Sequence, residues 1–263
     1  MILIKKVELF GGVVFDTIKS FGEAWIFLIK TIFNIFRPPF RFHLLLRQIL
    51  EIGANSTIVI SLIGLFTGAV LAVQGEYTLA KFGATAFTGS AVALSLIREL
   101  APVLTALMVI GRAGSAITAE IGIMKISEQI DALRSMAIDP IKYLMTPRFL
   151  AGVIVMPLLT AIFIIIGIAG GYFVAVGLLG LGAGTFLGDM IEAVDMTDVF
   201  SGLIKGVVFG FLFGWISCYK GYTCGFGAKG VNRATTQSVV TASVAVLVVD
   251  YFITTILTQV IFR

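Results

Sequence analysis

Residues 111–140 read GRAGSAITAEIGIMKISEQIDALRSMAIDP and form the longest polar interruption between the long apolar runs of the chain. Hydrocarbon does not accommodate their charged side chains, which are Arg112, Glu120, Lys125, Glu128, Asp131, Arg134 and Asp139. Apolar residues recur at three- and four-residue steps, a spacing that predicts one face of a helix; they are Ile123, Ile126, Ile130, Leu133 and Ala137. Asp139-Pro140 predicts the end of this helix. The stretch therefore predicts an amphipathic helix over about residues 118–138, outside the hydrocarbon.

A helix of this kind between two membrane spans has two possible roles. It rests on lipid headgroups, or it offers a surface to a partner outside the bilayer. Headgroup-bound helices are usually rich in Lys and Arg on the polar face, whereas this polar face carries acids and bases in similar number. Its composition favours a protein partner, and the headgroup interpretation stays open.

The composition of the whole chain is that of an integral membrane protein. Hydrophobic residues make up 58% and charged residues 13%, whereas soluble domains carry about 25% charged residues. Apolar runs of roughly 20 residues recur, enough for a helix to cross the bilayer, and they lack the alternation of barrel strands. We therefore expect an all-α transmembrane domain over residues 49–263, with five spans near residues 52–73 (extending to 79), 91–110, 149–176, 200–218 and 239–261.

Residues 1–48 combine seven Lys or Arg residues with many aromatic residues, and acids interrupt every apolar run. This pattern predicts an amphipathic helix in the membrane interface, ended by Arg37-Pro38-Pro39, with a partly inserted helix as the alternative. The loops after the second and fourth spans are also basic, whereas the other two carry Lys81 alone. The positive-inside rule then predicts a cytoplasmic N-terminus and a C-terminus on the opposite side of the membrane.

Several classes of site have no motif in this chain. There is no GxxxxGK[ST] phosphate loop, no HExxH and no nucleophile elbow, and the cysteines form no CxxC pair. One histidine does not make a metal cluster, and a net charge of +4 is no nucleic-acid signature. We therefore expect no catalytic residues, no metal, no cofactor and no nucleic-acid partner, and any energy source must be a partner or an ion gradient.

Charged residues inside the predicted spans are costly, so they are functional or paired. Arg98 and Glu99 lie roughly 12 Å deep in the second span, at 1.5 Å per residue; they line a substrate cavity or tether helices, and both interpretations stay open. Lys205 and Asp250 fall at overlapping depths in the fourth and fifth spans, so we expect a structural ion pair between them.

Glycines at four-residue steps predict close helix packing. In the fourth span they are Gly202, Gly206, Gly210 and Gly214, and shorter GxxxG steps are Gly64-Gly68 and Gly167-Gly171.

Three motifs in the middle of the chain closely resemble the MlaE (YrbE) family of permeases. They are ELAPVLTAL at 99–107, GRAGSAITAEIG at 111–122 and EQIDAL at 128–133. The resemblance continues through Pro147-Arg148, residues 232–236 (NRATT) and Val249-Asp250, so it covers nearly the whole chain.

The resemblance implies a permease subunit that is not itself an enzyme, in the cell inner membrane. It implies a homodimer with a cytoplasmic ABC ATPase, a periplasmic ring of MCE-domain proteins and often a small STAS-domain protein. The substrate would be phospholipid, moved between the inner membrane and the MCE ring to maintain outer-membrane lipid asymmetry.

The resemblance also assigns residues. The polar stretch becomes the coupling helix that contacts the ATPase, through Glu120, Lys125, Glu128, Gln129, Asp131 and Arg134. An outward-opening lipid cavity at the dimer interface would involve Leu71, Leu79, Phe82, Arg98 and Glu99, although the family often has Tyr where Phe82 stands. Two other classes compete: a self-contained ion-coupled carrier that uses the intramembrane charges as a relay, and a membrane anchor without a cavity.

Overall fold

The computed structural model describes the backbone of residues 2–38 and 41–260 and the side chains of residues 19–38 and 41–259. These residues form helices and no strands, in the order α1 (Ile2–Ile35), α2 (Phe42–Ala80), α3 (Thr85–Ile126), α4 (Gln129–Ser135), α5 (Ile141–Gly177), α6 (Ala183–Ala193), α7 (Met196–Tyr222) and α8 (Gly227–Val260). Five of them, α2, α3, α5, α7 and α8, are long and apolar enough to cross a membrane. The predicted all-α membrane protein with five spans is confirmed.

Each spanning helix is longer than the apolar run that predicted it. α2 begins at Phe42, so residues 42–48, which were assigned to the interfacial segment, belong to the first span. α3 begins at Thr85 rather than near residue 91 and continues through the polar motif to Ile126. Hydrophobicity marks only the part of a helix inside hydrocarbon, whereas backbone hydrogen bonding continues beyond it. The predicted end of the fifth span at Ile261 lies outside the described residues.

The polar stretch between the second and third spans is divided, not one helix over residues 118–138. α3 ends at Ile126, Glu128 adopts a left-handed conformation with φ 58°, and α4 follows. Ala137 has a similar φ of 59°. The turn separates the two halves of the predicted apolar face, so Ile130 is buried while Ile123 is exposed.

The spans define two ends of the molecule. At the basic end, α2, α5 and α8 begin and α3 and α7 end, and α4 lies there. The opposite end carries Asp189, Glu192, Asp195 and Asp198 and is called the acidic end. There α6 lies against α3, since Asp189 accepts a hydrogen bond from the Ser90 backbone N–H (2.7 Å). Phe186 of α6 is buried. α6 lies between the predicted spans at 149–176 and 200–218, where the apolar pattern predicts a loop.

Glycines hold the spans backbone to backbone, as their spacing predicts. A methyl group added at Gly68 of α2 would overlap the carbonyl oxygen of Gly167 in α5. One at Gly210 of α7 would lie 2.5 Å from the carbonyl oxygen of Gly152 in α5. α5 is therefore the central helix, packed against α2 on one side and α7 on the other.

Gly68→Ala is expected to lower the stability of the protein by about 1–3 kcal/mol, because the added methyl group has to push two backbones apart. Gly75→Ala on the same helix is the matched control, since its methyl group would meet only the Thr88 Cγ2 atom at 3.7 Å. Thermal unfolding of the purified variants in detergent measures the difference. Equal melting temperatures for the two variants would contradict the packing argument.

Candidate functional site

Five charged side chains from three spans meet towards the acidic end, and we refer to them as the charge cluster. They are Arg98 and Glu99 of α3, Asp198 and Lys205 of α7, and Asp250 of α8. Three acids face two bases, so the cluster carries a formal charge of −1 when all are ionised. Thr254 of α8 adds a hydroxyl group.

Lys205 is the centre of the cluster and is only 1% exposed. Its Nζ lies 2.7 Å from Glu99 Oε2, 2.9 Å from Asp250 Oδ1 and 2.7 Å from Thr254 Oγ1. The same ammonium group donates a hydrogen bond to the Arg98 carbonyl oxygen at 2.8 Å. An ammonium group has three N–H donors and no acceptor, so these four oxygen atoms saturate it. One buried cation thus joins α3, α7 and α8.

The Arg98 carbonyl accepts a hydrogen bond from Lys205 at a point where a proline removes its usual helical donor. In an α-helix this carbonyl would accept from the N–H four residues later, which is Pro102, and proline has no N–H. The helix is also widened here, since the Ala101 N–H donates to the Leu96 carbonyl five residues back. Such π-helical turns are frequent at functional sites. Pro102 therefore cannot donate to the Arg98 carbonyl, and the Lys205 ammonium group does.

The Arg98 side chain points to a different partner. Its Nε lies 2.6 Å from Asp198 Oδ1, and Asp198 is buried in the first turn of α7. Asp198 Oδ2 also accepts a hydrogen bond from the Asp195 backbone N–H, as part of a capping box. The contact places the Arg98 side chain level with the first turn of α7, at the acidic end of that helix.

The predicted pair of Lys205 and Asp250 is brought together, with Glu99 as a third charged member. Glu99 was assigned to the lipid cavity together with Arg98. Both side chains contact the cluster and still keep a free surface, since 39% of the Arg98 side chain and 43% of the Glu99 side chain are exposed. Their contacts agree with the tethering interpretation, and the substrate cavity stays a prediction.

The three apolar residues assigned to the lipid cavity lie along the second half of α2 and just beyond it. Leu71 is half-buried against the core, Leu79 is half-buried, and Phe82 is 79% exposed. Tyr77 is also exposed nearby in sequence, with the Lys81 Nζ 4.4 Å from the centre of its ring. The acidic end thus presents apolar and aromatic surface on α2.

The residues assigned to ATPase coupling divide into two groups at the basic end. Glu120 Oε2 lies 2.8 Å from Arg148 Nη2 of α5, Lys125 Nζ donates to the Cys224 carbonyl at 2.7 Å, and Arg134 donates to the Tyr222 hydroxyl. These three residues fasten the segment to α5 and to the α7–α8 turn. Glu128 and Gln129, at the turn itself, are exposed, and so is Asp131.

The Cys224 side chain belongs to the packing of this segment. Its Sγ lies 3.8 Å from the Gly122 carbonyl oxygen. Burial raises the pKa of the Cys224 thiol, and the nearby Lys125 charge offsets this only in part. A thiol with a raised pKa stays protonated near neutral pH and is unreactive.

Two members of the cluster were missed by the sequence analysis. Asp198 falls just before the predicted fourth span at 200–218, although Asp195 and Asp198 have the spacing of a capping box. Thr254 was not singled out, although it lies four residues after Asp250 and so on the same helix face. Only the packing of α3 against α7 brings Asp198 to Arg98.

Known proteins resemble this chain over almost its full length. Residues 45–256 match the family described as Permease MlaE. The intermembrane phospholipid transport system permease protein MlaE of Haemophilus influenzae is 42% identical over 97% of this chain and 98% of its own. A protein of Rickettsia typhi named "Probable ABC transporter permease protein" is 43% identical over 98% of this chain and 100% of its own. The chloroplastic protein TRIGALACTOSYLDIACYLGLYCEROL 1 of Arabidopsis thaliana is 33% identical over 88% of this chain and 66% of its own.

Proposed function

The chain belongs to the MlaE permease family, and from this premise we propose that it is the membrane subunit of an ABC transporter for phospholipids. It moves phospholipid between the inner membrane and an extracytoplasmic ring of MCE-domain proteins, and so maintains outer-membrane lipid asymmetry. Support comes from the Haemophilus relative, which is named for intermembrane phospholipid transport, and from the Rickettsia relative, which is named as an ABC transporter permease.

The proposed assembly is a homodimer in the inner membrane, with the basic end in the cytoplasm. A separate ATPase hydrolyses ATP and contacts the segment around Glu128, and a small STAS-domain protein accompanies it. The MCE-domain ring stands at the acidic end. The distribution of Lys and Arg between the two ends supports this orientation.

The observation that carries the lipid proposal is the partly exposed Arg98 guanidinium group, held in place by Asp198. A guanidinium group binds phosphate through charge-assisted hydrogen bonds, and one that is already oriented loses little entropy on binding. Leu71, Leu79 and Phe82 supply the apolar surface that acyl chains need, and Glu99 lies beside the headgroup position. Two such surfaces related by a two-fold axis enclose one cavity.

Photo-crosslinking in native membranes tests the substrate. Crosslinkers at residues 71, 79 and 82 are expected to capture phospholipid, and the capture should survive transfer into a lipid-free polymer. Crosslinkers at Ile165 and Phe173, which are exposed on α5, are the control. They should no longer capture phospholipid after transfer into the polymer. Equal labelling at both sets after transfer, or labelling by a water-soluble solute, would contradict the lipid cavity.

A further inference from the structure

A second cavity lies at the opposite end of the molecule from the charge cluster. It is an open cavity of about 450 Å³, bordered by the end of α1, the start of α2, and the start of α5 with residues 137–139 before it. Its wall combines three cations with apolar side chains, among them Arg37, Arg41 and Lys142 with Phe42, Leu45 and Leu150. No residue of the proposed transport cavity contributes to it.

Two of the cations are held in position by their surroundings. Lys142 Nζ donates a hydrogen bond to the Pro38 carbonyl oxygen at 2.7 Å. The Arg41 guanidinium carbon lies 4.5 Å from the centre of the Tyr143 ring, a cation–π contact. The lysine joins α5 to the chain segment after α1, and the arginine joins the start of α2 to α5. Two of the three cations are therefore positioned by the fold, whereas Arg37 is exposed.

Against its three cations the wall carries one acid, Asp139, so its formal net charge is +2. Asp139 Oδ2 accepts a hydrogen bond from the Asn34 amide at 3.1 Å, and Asp139 Oδ1 accepts one from the Ile141 backbone N–H at 2.9 Å. Both carboxylate oxygens are thus engaged in fastening α1 and the start of α5. Two helices, α2 and α5, begin beside the cavity and one, α1, ends there, so partial positive helix ends outnumber partial negative ones two to one. The net field in the cavity attracts an anion.

The apolar part of the wall selects the kind of anion. Phe42 and Leu45 lie in the first turn of α2 and Leu150 in the third turn of α5, near the ends of two helices that are long and apolar enough to cross a membrane. Another cavity at the same end, of about 380 Å³, also has three cations in its wall, which are Lys220, Lys229 and Arg233. Apart from Phe226, the rest of its wall consists of small or polar residues, so it has less apolar surface than the first cavity. Cations beside apolar side chains at this level match an amphiphile with an anionic phosphate.

We propose that the cavity formed by Arg37, Arg41, Lys142, Phe42, Leu45 and Leu150 binds the headgroup of an anionic phospholipid from the leaflet at the basic end. The phosphate meets the three cations, and the first acyl segments lie along the apolar wall. Occupation would fasten α1 to the starts of α2 and α5. This site goes beyond the proposed transport function, because it lies at the other end of the spans and does not require the bound lipid to be cargo.

Native mass spectrometry of the full-length protein in mild detergent tests the site, with phosphatidylglycerol as the probe and phosphatidylcholine for comparison. The variant Arg37→Gln/Arg41→Gln/Lys142→Gln should bind phosphatidylglycerol at least about tenfold more weakly, because three cations near a lipid surface are lost. Its phosphatidylcholine binding should change little. Lys142 also donates a hydrogen bond to the Pro38 carbonyl oxygen. The variant Arg37→Gln/Arg41→Gln keeps this bond, and its weaker phosphatidylglycerol binding is the test if the triple variant misfolds.

The variant Lys220→Gln/Lys229→Gln/Arg233→Gln is the matched control, because it removes the same charge from the same end. It should retain phosphatidylglycerol binding. An equal loss in both triple variants would mean general attraction between a basic surface and an anionic lipid, and would overturn the proposal. Glycerol phosphate at millimolar concentration should not displace the lipid; displacement would identify a site for free phosphate instead. Unchanged binding in the cavity variants would also overturn the proposal.

Discussion

Lys205→Met is expected to destabilise the protein by about 3–5 kcal/mol, because it removes one partner of a buried ion pair. Asp250, whose side chain is 17% exposed, loses its cation and carries most of the cost. Methionine matches the length of the lysine stem, so the loss reports charge and not volume. Thermal unfolding in detergent measures the change as a drop in Tm. A variant as stable as the native protein would show that the ammonium group contributes little.

A double-mutant cycle identifies the partner. Lys205→Met and Asp250→Asn should be non-additive, with an interaction energy of about 0.5–3 kcal/mol. The exchange Lys205→Asp with Asp250→Lys should recover part of the loss. Because the new carboxylate at position 205 would face Glu99, recovery should improve when Glu99→Gln is added. Purely additive effects would mean that the two residues do not interact.

Charge reversal at the turn after α3 is the second large expected effect, and it concerns the ATPase. Glu128→Lys/Asp131→Lys should reduce co-purification of the ATPase by about tenfold or more, because like charges placed in an interface repel the partner surface. Stability should change little. Asp131 loses its contact with Arg134, but both side chains are more than half exposed, and such pairs contribute little. Pull-down of the tagged permease measures the loss.

Glu23→Lys/Glu192→Lys is the control for this experiment, since both residues are exposed and lie outside the segment. It changes the net charge by the same amount and should leave ATPase binding intact. If the variant at residues 128 and 131 binds the ATPase and supports normal hydrolysis, the turn is not the coupling element. A headgroup-bound role for the segment would then be the better interpretation.

The sequence predicts the parts of this fold that depend on local cost. A run of roughly 20 apolar residues is most stable inside the bilayer, so the five spans follow from composition. A lone charge in a span is costly, so Lys205 and Asp250 can be paired from sequence by depth alone. The glycine stripe that includes Gly206 and Gly210 is also visible in the sequence, because glycines repeated on one helix face allow another helix to approach backbone to backbone.

Other features depend on packing that one sequence does not encode locally. Glu128 interrupts a helix in a conformation that favours glycine, and no residue type there signals it. The contact of Asp198 with Arg98 joins residues 100 positions apart. The π-helical turn at Leu96–Leu100 has no sequence signal, whereas Pro102 alone indicates that the Arg98 carbonyl lacks its usual helical donor.

Backbone-to-backbone packing of α5 against α2 and α7 also limits how the protein can move. No flexible side chains stand between these helices at their glycine contacts, so sliding there requires separating main chains, and the three helices behave as one rigid body. α8 differs, since only 11% of its most apolar window is buried. Its attachment at the acidic end includes Asp250 and Thr254 on Lys205. Relative motion of the spans is therefore expected to be concentrated at α8, where the Lys205 ammonium group holds this helix to α7 and α3.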